Sequence, residues 1–286
     1  MSKDIQFYIV PTPIGNLGDI TLRAIDVLKS VDIIACEDSR VTQKLLNHYD
    51  IKTKTVSCHK FNERERIKLF FDLLDEGKKI ALVSDAGTPL ISDPGAIIIE
   101  ELIKNNIKIT SLPGACAVTT FLSQVPRGKC ISNSSLKSFA SSQGVEDFAF
   151  VGFLPKSEGQ IFDILQKFAR TNLVFYESPK RLLKTLEKIK KFNPDSRIAV
   201  GRELTKIFEE VVIDKVQNII DYYKKNHLKG EIVGMLYKQE GKGFSEAELQ
   251  ERINLLKKQK FSTKDISTIL AALYDINKND IYKLTI

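Results

Sequence analysis

The sequence predicts an α/β protein built as two α/β halves, with a small helical unit appended at the C-terminal end. Three observations carry that expectation. Short apolar runs alternate with amphipathic stretches of helical period in the first third of the chain, and again from Phe148 to Leu236. A polar, serine-rich stretch separates the two series. From Phe244 onward only the helical period remains.

In order along the chain, Phe7 to Val10 reads as a strand followed by the turn PTPIGN. Thr21 to Ser30 reads as a helix with Leu22, Ile25 and Leu28 on one face. Ile33 to Cys36 is the next strand. Asn62 with Glu65 fits a helix start, and that helix buries Ile67, Phe70, Phe71 and Leu74 before Gly77 stops it. Ile80 to Val83 is a strand leading into SDAGTPLISDPG. Asp93 and Pro94 fit the cap and first turn of a helix running to about Asn105. Ile107 to Leu112 is a further strand, closed by Pro113 and Gly114. Strand–helix alternation with strongly apolar strands argues for a mainly parallel sheet covered on both faces.

The stretch from Gln124 to Ser141 is basic and serine-rich and contains no acid, so it reads as a surface loop or insertion. The second half follows with strands at Phe148–Phe153, Leu173–Tyr176, Ile198–Val200, near Glu210–Ile213, and at Ile232–Leu236. Helices are expected at Gln160–Phe168, Arg181–Phe192 and near Val216–Lys225. In the tail, Ser245 with Glu248 and Ser262 with Asp265 look like two helix starts, giving a helix-turn-helix outline. The implied divisions are 1–123, an inserted loop 124–141, 142–240, and 244–286.

Composition narrows the function classes. No apolar run approaches the ~18 residues a membrane helix needs, and MSKDIQFYIV has no signal-peptide pattern. A cytoplasmic protein is expected. The four cysteines are widely spaced and the three histidines pair with no second ligand, so neither a disulfide framework nor a metal site is expected. A net charge of +7 and a pI near 9.0 favour an anionic partner such as nucleic acid.

PTPIGN, SDAGTP and PGACA each follow a predicted strand, and ligands of open α/β sheets bind at that edge. None is a dinucleotide or P-loop fingerprint. Glycines there serve a turn or a close ligand approach equally well, but three such loops together favour a site. Asp85 can accept hydrogen bonds from hydroxyl or amino groups. In ACEDSR, Glu37, Asp38 and Arg40 make either an ion-pair cluster or the rim of the same cleft, where acids position a hydroxyl and Arg40 a phosphate. His59, Asn62 and Glu63 occupy the next strand–helix junction. In FYESPKR and its helix, Lys180, Lys184, Lys188 and Lys191 line one face beside Arg181, a candidate phosphate-contacting stripe. GRELTK adds Arg202, Glu203 and Lys206 at another strand end.

Read together, PTPIGNLGDITLRA, CEDSR, HKFNE, LVSDAGTPLISDPG, LPGACA, GFLP, YESPKRL, GRELTK and GEIV strongly resemble the ribosomal RNA small subunit methyltransferase I family. This family lies within the tetrapyrrole-methylase-like group. The resemblance spans nearly the whole chain, including the helical tail. It implies two α/β domains of the tetrapyrrole-methylase type with a cofactor cleft between them, S-adenosylmethionine as cofactor, and usually a homodimer. The implied activity is 2′-O-methylation of a cytidine in 16S rRNA of the small ribosomal subunit. By position, the cofactor pocket would involve Ile14, Asp85, Gly87, Thr88, Cys116, Ala117, Tyr176 and Glu231. Two departures stand out: Lys60 and Phe61 replace an acid and a histidine of the family's HEHNE-like run, and the 124–141 stretch is extra.

Methyl transfer to a hydroxyl needs alignment and a group to take the proton. Candidate bases are Glu37, Asp38 and Glu63, with Arg40 and Lys206 as anchors for phosphate or ribose. Two rival readings remain at this level: a methyltransferase acting on a tetrapyrrole or other small molecule, and a non-catalytic rRNA-binding assembly factor.

Overall fold

A computed structural model describes residues 5–126, 147–226, 228–238, 246–274 and 278–285. From residue 127 on, the expected insertion lies outside the described residues, as does the expected cap at Ser245. The chain separates into two compact units, Met1–Phe168 with Asn172–Tyr237, and Lys238–Ile286 with Ala169–Thr171.

The larger unit contains two five-stranded sheets. The first comprises β1 (Phe7–Ile9), β2 (Ile33–Cys36), β3 (Lys54–Ser57), β4 (Ile80–Val83) and β5 (Ile109–Ser111), in the order β3-β2-β4-β1-β5. Every pairing is parallel, as apolar strands buried on both faces predict. Helices α1 (Leu22–Ser30) and α2 (Ser39–His48) bury Val27, Leu28 and Leu46 in one core cluster. Helices α3 (Glu63–Asp75) and α4 (Ala96–Lys104) bury Phe70, Leu74, Ile98 and Leu102 in another.

Two local expectations are corrected here. Thr21 caps α1 through the Ala24 N–H at 3.1 Å, but Leu22 is 82% exposed. Ala24, Val27 and Leu28 make the buried stripe instead. Asn62 makes no cap hydrogen bond to α3; its side chain braces the preceding turn.

The second sheet comprises β6 (Phe148–Phe153), β7 (Asn172–Glu177), β8 (Arg197–Arg202), β9 (Glu210–Lys215) and β10 (Ile232–Leu236), in the order β6-β7-β10-β8-β9. Only β6 and β7 are parallel; the other three pairings are antiparallel. For β8 and β9 the physical reason lies in the connection. β8 reaches β9 through a short loop with no crossover helix, and a parallel pair requires a crossover. Helices α6 (Glu158–Lys167), α7 (Pro179–Phe192) and α8 (Val216–Lys225) pack Ile161, Leu186 and Ile219 onto one face of this sheet.

The opposite face receives α5 (Ala117–Gln124), whose Phe121 is fully buried with Val174, Ala199, Val233 and, from the first half, Ile14. Gly201 leaves the room: a β-carbon there would lie 2.6 Å from the Phe121 ring. This cluster locks the two sheets together within the unit. Losing a buried Phe from such a position costs about 3–5 kcal/mol.

The smaller unit contains α9 (Glu246–Lys258), α10 (Thr263–Tyr274) and α11 (Lys278–Thr285) around Ile253, Ile266, Leu270 and Ile281. The start of α10 is capped as expected: the Asp265 N–H donates to Ser262 Oγ at 3.1 Å, and Ser262 Oγ donates to the Asp265 carboxylate at 2.6 Å.

Candidate active site

Parallel pairing places the ends of β1, β4 and β5 side by side, so the loops that leave them must meet. Thr12 and Gly87 exchange both backbone hydrogen bonds, at 2.9 and 3.0 Å. Thr12 Oγ1 donates to the Ser84 carbonyl at 3.0 Å, and Ser84 Oγ donates to the Gly87 carbonyl at 2.9 Å. Thr88 Oγ1 reaches the Ala115 carbonyl at 2.9 Å, which ties in the third loop. Gly87 stands at φ +86°, and a β-carbon there would lie 3.1 Å from Ile14 Cγ2. The backbone conformation therefore favours glycine, and any side chain there would crowd Ile14.

The second half closes this edge into a cavity of about 380 Å³. Because β10 runs antiparallel to β7, with Ile232 opposite Glu177, the start of one strand lies beside the end of the other. Tyr176, Ser178 and Pro179 thus line the same wall as Gly230 and Glu231, with Phe153 and Leu204 completing it. Ile14, Asp85, Gly87, Thr88, Cys116, Ala117, Tyr176 and Glu231 all line this one cavity.

Beneath that wall, the buried Glu177 carboxylate holds the YESPKR turn. It accepts the Ser178 N–H at 2.8 Å and Thr185 Oγ1 at 2.7 Å, and lies 3.2 Å from the Arg181 guanidinium. Arg181 in turn donates to the carbonyls of Leu154 and Pro155. Arg181 is therefore a structural clamp, not part of a surface stripe.

Two acids exchange the roles expected of them. Glu63 is 5% exposed, and its Oε1 accepts the N–H groups of Ile97 and Ile98 at 2.7 and 3.2 Å. It caps α4, so its carboxylate is committed to a helix terminus. Asp93 does not cap α4. Gly95 at φ +124° occupies the cap position, and Asp93 faces the cavity. Nothing in the local sequence could reveal this swap, because the capping acid comes from another helix.

Four acidic residues line the cavity, Asp85, Asp93, Glu177 and Glu231, and of these the Glu177 carboxylate is itself fully buried. Burial, with the charges of Glu37 and Asp85 nearby, pushes the Asp93 carboxyl up to about 6. Burial raises Asp85 as well, although the Asp38 N–H donates to its Oδ1 at 3.0 Å and works against the rise. Glu37 is raised by burial and then by Asp85, with the His59 charge opposing. Tyr176 is raised by burial first, then by the charges of its neighbours.

Asp38 behaves differently. It caps α2 through the Arg40 N–H and pairs with the Arg40 guanidinium at 2.6 Å, which holds its carboxyl down to about 2. The cluster reading of ACEDSR thus holds for Asp38 and Arg40, while Glu37 stands apart. Lys206 is bridged to Glu203 and Glu231 at 2.8 and 2.9 Å. Its stem fills the space beside Gly15, so it braces the cleft.

The basic stripe on α7 is reduced in the same way. Lys191 pairs with Glu158, and Lys188 donates to the Lys156 carbonyl at 2.7 Å. Lys180 and Lys184 are exposed and have no partner among the described residues.

Comparison with known proteins agrees with this architecture. The tetrapyrrole (corrin/porphyrin) methylase family pattern matches residues 6–220. The chain is 40% identical to the ribosomal RNA small subunit methyltransferase I of Vibrio cholerae, over 96% of this chain and 92% of that one. It is 42% identical to the protein of that name from a Hydrogenobaculum species, over 82% and 96%. Among solved structures, a cobalt precorrin-4 methyltransferase is similar at a TM-score of 0.58 and 16% identity, covering 82% of this chain and 95% of that one. A Thermus thermophilus uroporphyrin-III C-methyltransferase complexed with S-adenosyl homocysteine is similar at 0.55 and 17%, covering 82% and 97%. Those two likenesses concern the fold.

Proposed function

The chain belongs to the ribosomal RNA small subunit methyltransferase I family of the tetrapyrrole methylases, and from that premise we propose that it methylates the ribose 2′-hydroxyl of a cytidine in 16S rRNA. As a member of that family it is an S-adenosylmethionine-dependent rRNA methyltransferase. The observation that carries the residue-level reading is the cavity between the two sheets, apolar in much of its wall and edged by acids that include Asp85 and Asp93.

The residues present fit the cofactor. A volume of about 380 Å³ lies in the range of small-molecule sites. Ile14, Tyr176, Ile232 and Val233 offer apolar surface for a base, and the backbone at Gly87 allows close approach. Asp85 and Asp93 offer negative charge to a cationic ligand, whereas the Glu231 carboxylate is already paired with Lys206. Bound there, the cofactor supplies an electrophilic methyl group on a sulfonium.

Of the three candidate bases, Glu37 remains. Asp38 is held near 2 by Arg40, and Glu63 is committed to α4. Glu37 is half-buried, its carboxyl is raised, and it lies close enough to Asp85 and Asp93 for their charges to interact. A raised carboxylate is the better proton acceptor. Glu37 takes the proton that the ribose hydroxyl gives up, while the cleft orients that hydroxyl for in-line displacement.

The test is radiolabelled methyl transfer to small ribosomal subunits and to free 16S rRNA, followed by nucleoside digestion. The expected product is 2′-O-methylcytidine. Transfer to neither substrate leaves the non-catalytic assembly factor ahead, and transfer to a tetrapyrrole instead favours the small-molecule reading. A homodimer acting in the cytoplasm completes the proposal, with sedimentation equilibrium and cell fractionation as its tests. Among the described residues, no helix is long and apolar enough to cross a membrane.

A further inference from the structure

We propose that Phe61, flanked by Lys60, is a stacking platform for an unpaired nucleobase of the RNA substrate at the rim of the cleft. The inference rests on the reading of rRNA as substrate. Phe61 lies in the turn between β3 and α3 and is 84% exposed. β3 pairs in parallel with β2, with Cys36 opposite Ser57. The turn that carries Phe61 therefore leaves the same sheet edge as the loop that carries Glu37.

Exposure alone would mean little, since single apolar side chains on a surface are common. The turn, however, is held rigid. Asn62 Oδ1 accepts the His59 N–H at 2.8 Å, and the Phe61 N–H donates to His59 Nδ1 at 3.3 Å. Asn62 Nδ2 and Arg66 Nε both bind the Ser57 carbonyl, at 3.3 and 2.8 Å. The His59 ring meets the Phe61 ring edge-on, with centroids 6.1 Å apart. A large apolar ring is thus fixed in water by its own backbone frame, which limits the ordering entropy lost on binding.

The surrounding charge selects the ligand class. Lys60 Nζ stands 5.3 Å from the Phe61 ring centroid, and Arg64 on the next turn is exposed with no partner among the described residues. An aromatic face beside cations suits single-stranded nucleic acid, whose bases stack and whose phosphates are anionic. A base held on Phe61 would fix the strand near the residue that accepts the hydroxyl proton.

Steady-state methyl transfer to small ribosomal subunits, alongside calorimetric binding of S-adenosylmethionine, tests the proposal with Phe61→Ala and Phe61→Trp. The expected result is a KM for the RNA substrate raised about tenfold by Phe61→Ala, in line with loss of one stacked base. Cofactor affinity and melting temperature should be unchanged, and Phe61→Trp should restore KM. Lys60→Ala should lower the salt dependence of RNA binding by about one unit of slope. A KM within about twofold of wild type overturns the inference, and so does a parallel loss of cofactor affinity. Conversion of a dimer to a monomer by Phe61→Ala would make the residue a subunit contact and overturn it as well. If the wild-type protein methylates no RNA, the underlying reading fails first and visibly, and this inference falls with it.

Discussion

Glu63 caps the helix that carries Ile97: its Oε1 accepts the Ile97 N–H at 2.7 Å across 34 positions of sequence. A charged cap of this kind contributes to stability without touching the reaction. Glu63→Ala should destabilise the protein by roughly 2 kcal/mol in urea unfolding. Its kcat at a temperature where the variant stays folded should remain within about twofold of wild type. A hundredfold fall in kcat would instead make Glu63 the proton acceptor.

Asp85 ties the loop after β4 to the loop after β2 through the Asp38 N–H, and also faces the cavity. Asp85→Ala should abolish measurable cofactor binding. Asp85→Asn keeps an acceptor for Asp38 and should lose about 30-fold in affinity, the effect of the charge alone. Unchanged calorimetric affinity in Asp85→Ala would remove Asp85 from the cofactor pocket.

Folding raises the Asp93 carboxyl from its ordinary value to about 6, so the folded protein holds that proton more tightly than the unfolded chain. The stability this adds is fully present below about pH 4 and is lost as pH rises through about 6. Asp93→Asn should flatten that fall by roughly 1–2 kcal/mol, less than the ~3 kcal/mol of a fully desolvated carboxyl because water still reaches the group. Cofactor affinity should run the opposite way in wild type, rising through about pH 6 as the carboxylate gains its charge. Unfolding and calorimetry at three pH values check both slopes.

Glu177 is buried beneath the cavity wall with three partners: the Ser178 N–H, Thr185 Oγ1 and the Arg181 guanidinium. Removing one member of a buried charged network leaves the others unsatisfied. Glu177→Ala should cost about 3 kcal/mol in stability, read as a lowered melting temperature. A change below about 0.5 kcal/mol would mean that water replaces the carboxylate there.

Lys180 and Lys184 have no partner among the described residues, whereas Lys188 and Lys191 are engaged with Lys156 and Glu158. The double variant Lys180→Ala with Lys184→Ala should weaken rRNA binding and reduce the salt slope by about two. Replacing Lys188 and Lys191 should change that slope less. Equal effects would restore the continuous stripe.

Strand and helix periodicity by itself determined most of the element order, including β6 and β10 at their observed limits. The motif resemblance determined which loops face one cavity, because Asp85 and Gly87 lie within a locally constrained turn whose shape the nearby residues dictate, while Tyr176 lies near the end of strand β7. Tertiary structure alone decided what each charged group does. Asp93 sits at a helix start and reads as its cap, yet Glu63 from another helix supplies that cap and leaves Asp93 to the cavity. Lys188, Lys191 and Arg181 share a helix face with Lys180, but only packing brings acceptors from the β6–α6 segment within reach of them. The physical reason is range. Backbone periodicity and turn conformation are fixed by neighbours a few residues away, whereas a charge is assigned by whichever donor or acceptor the folded chain brings within about 3 Å.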